Sequence, residues 1–489
     1  MPRNDALDSL LPFFSHHKKD QHQYEWVSDS FRQAVINGQL KPGYKLPSSR
    51  ALSKQLGVAR NSVVMAYEIL QSEGIIETRH GAGSFVSAAA AIPPLLTAEM
   101  TLDQQYKRTP KLSPLGERVN KPVQINTTGT LLLPAQPALE RFPLDDWHTA
   151  LNRAVRQRTF LSDKHIQGPA ILRQQLVDHL SMTRGVKATP EQILITSGSQ
   201  QALSMVIDLL VGPKENVYVE DYGYQGVDGL LTAAGVRRVV LDTDDEGMVV
   251  DRGLNTLGAG LMIVTPSRSF PVGHTLSLAR RLAMLNWADQ TNSWILEDDY
   301  DSEFLYKGQP IASLQGMDKR ERVIYTGTFS RTLFPGVRVG YLVLPECLVE
   351  IFSRYRALVD GGIGSLVPSA IGCFMQSGDY ARHLRRMKKC YQARQQRLSE
   401  VVAAHLPELI SLPHYGGMHQ VFMLPEGGDD QAITTCANQQ GLGIRALSSY
   451  SRKQNLQAQG IVIGFSGTSE EQLPSAIIRL REIIHQISD

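Results

Sequence analysis

The sequence predicts two units of unequal size, a small helix-rich module with a hairpin and a large, mostly parallel α/β domain. Three observations lead there. Residues 24–87 are compact, charged and helical in period. Residues 88–130 lose that period and fill with proline, alanine and polar residues, as a linker does. From 131 to 489, apolar strand-like runs alternate with amphipathic helical stretches.

Bulk properties narrow the class further. The chain is 42% hydrophobic and 20% charged, the balance of a globular protein able to bury a core. Its net charge of +2 announces no nucleic-acid binder, so any basic patch has to be local. Cys347, Cys373, Cys390 and Cys436 form no CxxC pair and no metal-ligand spacing, which suits free thiols in a reducing compartment. The start, "MPRNDALDSLLPFFSHHKKD", places acidic residues where a signal peptide needs basic ones. No stretch reaches the ~18 apolar residues of a membrane span. A cytoplasmic location is expected, with no metal site.

Within the first unit, "SSRALSKQL" opens on serines suited to an N-cap and closes at Gly57. A second helix follows "VAR", with Val63, Tyr67 and Leu70 at helical spacing and Gly74 as its C′ residue. Two short strands then flank "HGAG". Helix, turn, helix and hairpin together make a winged helix-turn-helix, whose second helix enters the DNA major groove. Arg60, Asn61 and Ser62 stand at the front of that helix. Arg50 on the preceding helix and Arg79 and His80 at the wing are placed to neutralise phosphates. Taken singly, each arginine also fits a solvated surface; the assembled pattern favours DNA.

The stretch "NGQLKPGYKLPSSRALSKQLGVARNSVVMAYEILQSEGIIETRHGAGSFV" resembles the DNA-binding domain of the GntR family. That family's G-x-L-x-P-G-x-x-L-P-S-x-R-x-L signature runs from Gly38 to Leu52. The resemblance implies that Arg50, Arg60, Asn61, Ser62, His80 and Gly81 occupy DNA-contacting positions. It also shows one departure, Val64 where the family often has arginine.

Three motifs of the large domain suit a phosphorylated aromatic ring. "TSGSQQAL" sets a glycine turn directly before a helix, where backbone amides with Ser199 and Gln200 can cradle a phosphate. "EDDYDSEF" ends an apolar strand, with Asp298 suited to a protonated ring nitrogen and Tyr300 to a phenolic oxygen. "TGTFSRTLFPGVRVGYLV" offers Thr328, Ser330 and the planar fork of Arg338 to a phosphate. Tyr224 in "VEDYGY" reads equally as a ring neighbour or a packed core tyrosine, and Arg338 also reads as a structural ion-pair partner.

These motifs stand in the order and spacing of fold-type I aminotransferases. With the winged helix in front, the chain from about Tyr24 onward resembles the MocR-like branch of the GntR family. The resemblance implies a pyridoxal-phosphate-dependent transferase fold (fold type I) and pyridoxal phosphate as cofactor. It also implies a head-to-tail homodimer that binds promoter DNA and answers to the cofactor or another small anionic or amine effector. Four departures cluster at the supposed site. Arg331 stands at the imine-forming lysine position, and Arg268 and Ser269 replace a histidine and glutamine expected near the ring. "DKHIQGPAILR" stands where the family has a YGDPxG segment ahead of "LR" and lacks its tyrosine, and Val462 occupies a substrate-arginine position. Guanidinium stays protonated and cannot form the imine that a neutral lysine amine forms. Arg331 and Arg268 are therefore expected to add two fixed positive charges near the phosphate cradle. The expected protein is a regulator with an inactive aminotransferase-like domain that holds its anionic ligand noncovalently. The alternative is an aminotransferase carrying a DNA-binding appendage.

Overall fold

A computed structural model describes residues 11–14, 22–90, 111–119, 129–161, 166–250, 259–308, 311–453 and 458–488. The chain divides into two compact units, Met1–Pro110 and Lys111–Asp489.

In the first unit, α1 (Gln23–Ile36), α2 (Ser49–Leu56) and α3 (Arg60–Ser72) precede β1 (Ile76–Arg79) and β2 (Gly83–Val86). The two strands pair antiparallel, with Ile76 opposite Val86. Local chemistry fixes the helix ends. Ser48 Oγ accepts the Ala51 N–H at 3.3 Å and caps α2, and Gly57 ends it in the left-handed region at φ 68°. Val27, Phe31, Leu52, Val63, Ala66, Leu70, Ile76 and Val86 close into one core, while Tyr67 donates its hydroxyl to the Pro47 carbonyl at 2.8 Å. Outside this core, Arg60 and Asn61 of α3 and residues 79–83 of the hairpin are exposed.

The second unit is built on a seven-stranded sheet of order β3-β11-β10-β9-β8-β4-β5. Its strands are β3 (Ile193–Thr196), β4 (Asn216–Glu220), β5 (Arg237–Leu241), β8 (Gly260–Val264), β9 (Trp294–Asp299), β10 (Val323–Thr328) and β11 (Gly340–Val343); β6 (Thr243–Asp244) and β7 (Gly247–Met248) form a separate hairpin. Neighbours run parallel except β11, which is antiparallel to both β3 and β10. Alternate residues serve two cores. Ile193, Ile195, Tyr325 and Val343 pack on one face, while Leu194, Ile324 and Leu342 pack on the other with Ala202, Leu203 and Val206. Burial on both faces explains why these strands read as unbroken apolar runs.

A smaller antiparallel sheet, β12 (Ile410–Ser411), β13 (His419–Met423), β15 (Gly460–Gly464) and β14 (Arg445–Ala446), carries helices Asp379–His405, Asp430–Gln439 and Leu473–Ser488. Of the stretch read as linker, residues 91–110 and 120–128 lie outside the described residues. Residues 114–119 form a helix within the large unit, where Arg118 Nε donates to the Ala233 carbonyl at 2.8 Å.

Candidate functional site

The two units present separate sites. On the first, α3 begins at Arg60 with Ala59 as N-cap, a residue that offers no side-chain acceptor. Gln23 of α1 supplies one instead. Its Oε1 accepts from the Ala59 N–H and the Ser62 hydroxyl, each at 3.3 Å. Arg50, Arg60, Asn61, His80 and Gly81 are exposed, and Arg60 Nε lies 3.5 Å from Ser49 Oγ. Gly81 takes φ 72°, the left-handed conformation that turns the wing. Arg79 is exposed but engaged: it lies over the Phe85 ring at 4.8 Å and pairs with Glu77 at 2.5 Å. Such exposed pairs are worth roughly 0.2–1 kcal/mol, so a phosphate can displace Glu77. Gln23 escaped the sequence reading because nothing local ties it to a helix 36 residues later.

In the second unit, Ser199, Gln200, Tyr224, Asp298, Tyr300, Thr328, Ser330, Arg331 and Arg338 all line one cavity of about 290 Å³. That is near the roughly 300 Å³ lower end of ligand pockets. Ala135, Thr265, Phe270 and Pro335 complete its walls. Helix Ser199–Leu210 starts there from Gly198 at φ 94°, with no side chain capping its first N–H groups. Gly340 lets β11 pass close beneath, since a Cβ on it would lie 2.8 Å from the Gly198 carbonyl carbon. Tyr224 is 43% exposed at the rim, which settles it as a wall residue of the cavity and not of the core. Arg338 is exposed, held in the left-handed region at φ 47°, and only loosely tied to the Ser197 carbonyl at 3.4 Å.

Alternation along β9 and the residues after it sorts the acids. Asp298 and Tyr300 line the cavity; Asp299 and Asp301 pair elsewhere, with Arg184 at 2.7 Å and Arg268 at 2.6 Å. Burial pushes the Asp298 carboxyl up to about 7, helped by the neighbouring Asp299 charge and opposed by Arg331. Burial likewise raises the Tyr300 hydroxyl well above its usual range, so it stays a donor. Phe270 sets its edge against Tyr300 at 5.7 Å and Tyr450 at 5.1 Å, making an aromatic wall.

Arg268 corrects an expectation. It does not line this cavity. Its guanidinium is buried against Asp301 and donates to the His419 carbonyl at 3.0 Å, on a separate cavity that also includes Arg184 and Lys307. Its charge is neutralised by Asp301, so one new fixed charge enters the cleft and not two. Ser269 is buried and is not among the residues lining the cleft. Arg331 does enter, and Nη1 donates to the Ala135 carbonyl at 2.7 Å. Of the "DKHIQGPAILR" departure, residues 163–165 lie outside the described residues.

The cavity fits a phosphorylated pyridine on its own polar inventory. Gln200 Oε1, Tyr300 OH and Ser330 Oγ are buried without a partner, although buried polar groups are nearly always paired. Tyr300 OH and Ser330 Oγ are free to donate to oxygens of such a ligand, as are the uncapped first N–H groups of the helix, while Gln200 Oε1 can only accept. Among the described residues, no group of three His, Cys, Asp or Glu side chains is arranged to hold a metal, and no helix is long and apolar enough to cross a membrane.

Raising the Asp298 carboxyl has a stability consequence. The folded state keeps its proton up to about pH 7, while the unfolded chain loses it near the ordinary aspartate value. The folded state therefore binds the extra proton, and this residue's cost grows as pH rises through that window. Asp298→Asn removes the cost. Its melting temperature is expected to exceed wild type at pH 8, with the gain vanishing near pH 4; an equal gain at both pH values contradicts the assignment.

Comparison with known proteins agrees with this division. Residues 23–86 match the family "Bacterial regulatory proteins, gntR family", and residues 134–480 match "Aminotransferase class I and II". The probable rhizopine catabolism regulatory protein MocR of Rhizobium meliloti is 31% identical over 468 residues, 94% of each chain. The HTH-type pyridoxine biosynthesis transcriptional regulator PdxR of Corynebacterium glutamicum is 31% identical, over 95% of this chain and 94% of its own. In fold, the large unit is similar to the kynurenine aminotransferase of Pyrococcus horikoshii, with a TM-score of 0.68 at 23% identity over 78% of this chain and 96% of that one.

Proposed function

The chain belongs to the aminotransferase class I and II family and carries a gntR-family regulatory module at its front, and from that premise we propose that it is a DNA-binding transcription regulator whose large unit holds pyridoxal phosphate or a related anion as effector. The observation that carries the reading is the pairing of an exposed, basic helix start with a polar cavity that is walled by Arg331 and, among the described residues, by no lysine.

In this reading residues 24–87 are the DNA-binding head, 88–130 the connection and 131–489 the effector-binding and dimerisation unit. Arg50, Arg60, Asn61, Ser62, Arg79, His80 and Gly81 meet double-stranded promoter DNA, with Gln23 holding Ser62 and the start of α3 in place. Two chains pair head to tail in the cytoplasm, so that two heads engage two half-sites.

The cofactor's phosphate is held by Ser330, Thr328, Arg338 and the first N–H groups of helix Ser199–Leu210. Asp298 meets its ring nitrogen and Tyr300 its phenolic oxygen. When bound to an amine, pyridoxal phosphate serves as an electron sink for carbon chemistry. This chain's residues do the rest differently from an enzyme's. Asp298 stores a proton near neutrality, Phe270 and Tyr300 exclude water, and Arg331 supplies a fixed positive charge. A guanidinium neither forms the covalent link nor shuttles a proton at pH 7. The ligand is held noncovalently and turnover is absent.

Arg60→Ala tests the DNA half. Its affinity for a selected duplex is expected to fall by about 1–3 kcal/mol, with relaxed preference at the base it reads. Unchanged affinity and preference in a fluorescence-anisotropy titration remove Arg60 from the interface.

A further inference from the structure

The most enclosed arginines of the large unit are each held by a carboxylate or by several carbonyls. Arg184 pairs with Asp299, Arg268 with Asp301 and Arg394 with Glu140, and Arg281 donates to three carbonyls. Arg331 differs. It is half-buried on the wall of the cleft, it makes one hydrogen bond, to the Ala135 carbonyl, and among the described residues it forms no ion pair. A guanidinium has five N–H donors, so most of this fork is left for whatever enters.

The same cavity contains a second, independent anion receptor. That receptor is the uncapped start of helix Ser199–Leu210 with the partnerless Ser330 Oγ and the exposed Arg338. A phosphate seated at the helix start has Ser330 and Arg338 as partners, which leaves the Arg331 fork for a second group. We propose that the cleft selects a phosphorylated aromatic ligand accompanied by a carboxylate, and that Arg331 receives that carboxylate. The proposal rests on the reading of the cleft as a pyridoxal-phosphate site and adds the identity of the second group.

Chemistry picks the carboxylate. A planar fork matches a carboxylate in two parallel hydrogen bonds, an aldehyde offers it only one neutral oxygen, and an ammonium is repelled. The carboxylate comes either from the ring itself, as in 4-pyridoxic acid 5′-phosphate, or from a small acid bound beside pyridoxal phosphate.

Calorimetric titration of the full-length protein separates these cases. The probes are pyridoxal phosphate, pyridoxamine phosphate and 4-pyridoxic acid 5′-phosphate, with the first repeated in saturating acetate. The acid is expected to bind at least about tenfold tighter than the amine, a difference of about 1.4 kcal/mol. If the carboxylate is a separate molecule, acetate strengthens pyridoxal phosphate by a similar factor and the ring acid shows no advantage over the acetate-supported complex. Arg331→Gln is expected to bring either preference to within about threefold while phosphate-dependent binding survives. The wild-type ranking stands as a test even if that variant folds poorly. An amine bound as tightly as the acid with no acetate effect overturns the proposal, as does a preference that persists in Arg331→Gln. Pyridoxal phosphate binding without any preference defeats this inference alone. Failure of every probe to bind defeats the cofactor reading and the inference with it.

Discussion

Arg184→Met is expected to destabilise the large unit by about 3–5 kcal/mol, the cost of leaving one member of a buried ion pair alone. Arg184 is 7% exposed and its partner's side chain 2%. Its guanidinium also donates to the Ile311 carbonyl at 2.9 Å and to Ser267 Oγ, so one substitution empties three bonds. Among the described residues, Asp299 would keep the Tyr325 hydroxyl alone, which donates to it at 2.7 Å. The damage reaches the cleft because Asp299 follows Asp298 on β9. The double variant Arg184→Met with Asp299→Asn, which removes the stranded charge, is expected to recover much of the loss. Denaturant unfolding of both variants reads the effect; a loss under 1 kcal/mol in the single variant shows that the pair is not what holds this end of the strand.

Arg331→Lys is expected to produce an all-or-none change. Lysine can offer a neutral amine once an enclosed, positively charged setting depresses its pKa, which guanidinium cannot. Arg338 supplies a neighbouring positive charge on the same cavity wall. Addition of pyridoxal phosphate followed by borohydride should fix a pyridoxyl group to residue 331 of the variant, seen as a mass increase that maps to that peptide. The wild-type chain should carry none on any lysine of the cleft, since among the described residues no lysine lines it. Lys307 lies on the separate cavity with Arg268, and Lys319 is exposed. A label on the wild-type protein at either of those residues contradicts the noncovalent reading. Absence of a label on the variant shows that position 331 does not face the ligand's aldehyde.

Much of this was legible because the strands of the large sheet are buried on both faces. "QILITSG", "NVYVEDYG", "GLMIVTP", "SWILEDDY", "RVIYTGT" and "VGYLVLP" each contain an observed strand. β5 was harder to see, since "RRVVL" opens on two exposed arginines at the sheet's edge. The reversed direction of β11 leaves no trace in its own residues, because direction is set by the path of the chain. Glycines gave the helix ends at Gly57 and Gly74, where a left-handed φ is needed. The cleft residues were found through motifs that place polar side chains at strand ends. What the sequence concealed was partner choice. Arg268 and Arg331 look alike as letters, yet one meets Asp301 and the other a carbonyl from residue 135. Only the folded path decides which carboxylate lies within reach.

The central claim, that one chain couples DNA recognition to a ligand held in the large unit, is tested most directly on DNA itself. A duplex selected by the full-length protein from a random pool would be titrated by fluorescence anisotropy at several salt concentrations, with and without saturating pyridoxal phosphate. The account predicts sequence-selective binding that weakens steeply with salt and shifts by about fivefold or more with the ligand. Binding that ignores sequence, or steady transamination of amino acids by the wild-type protein with no effect of the ligand on DNA, would contradict it.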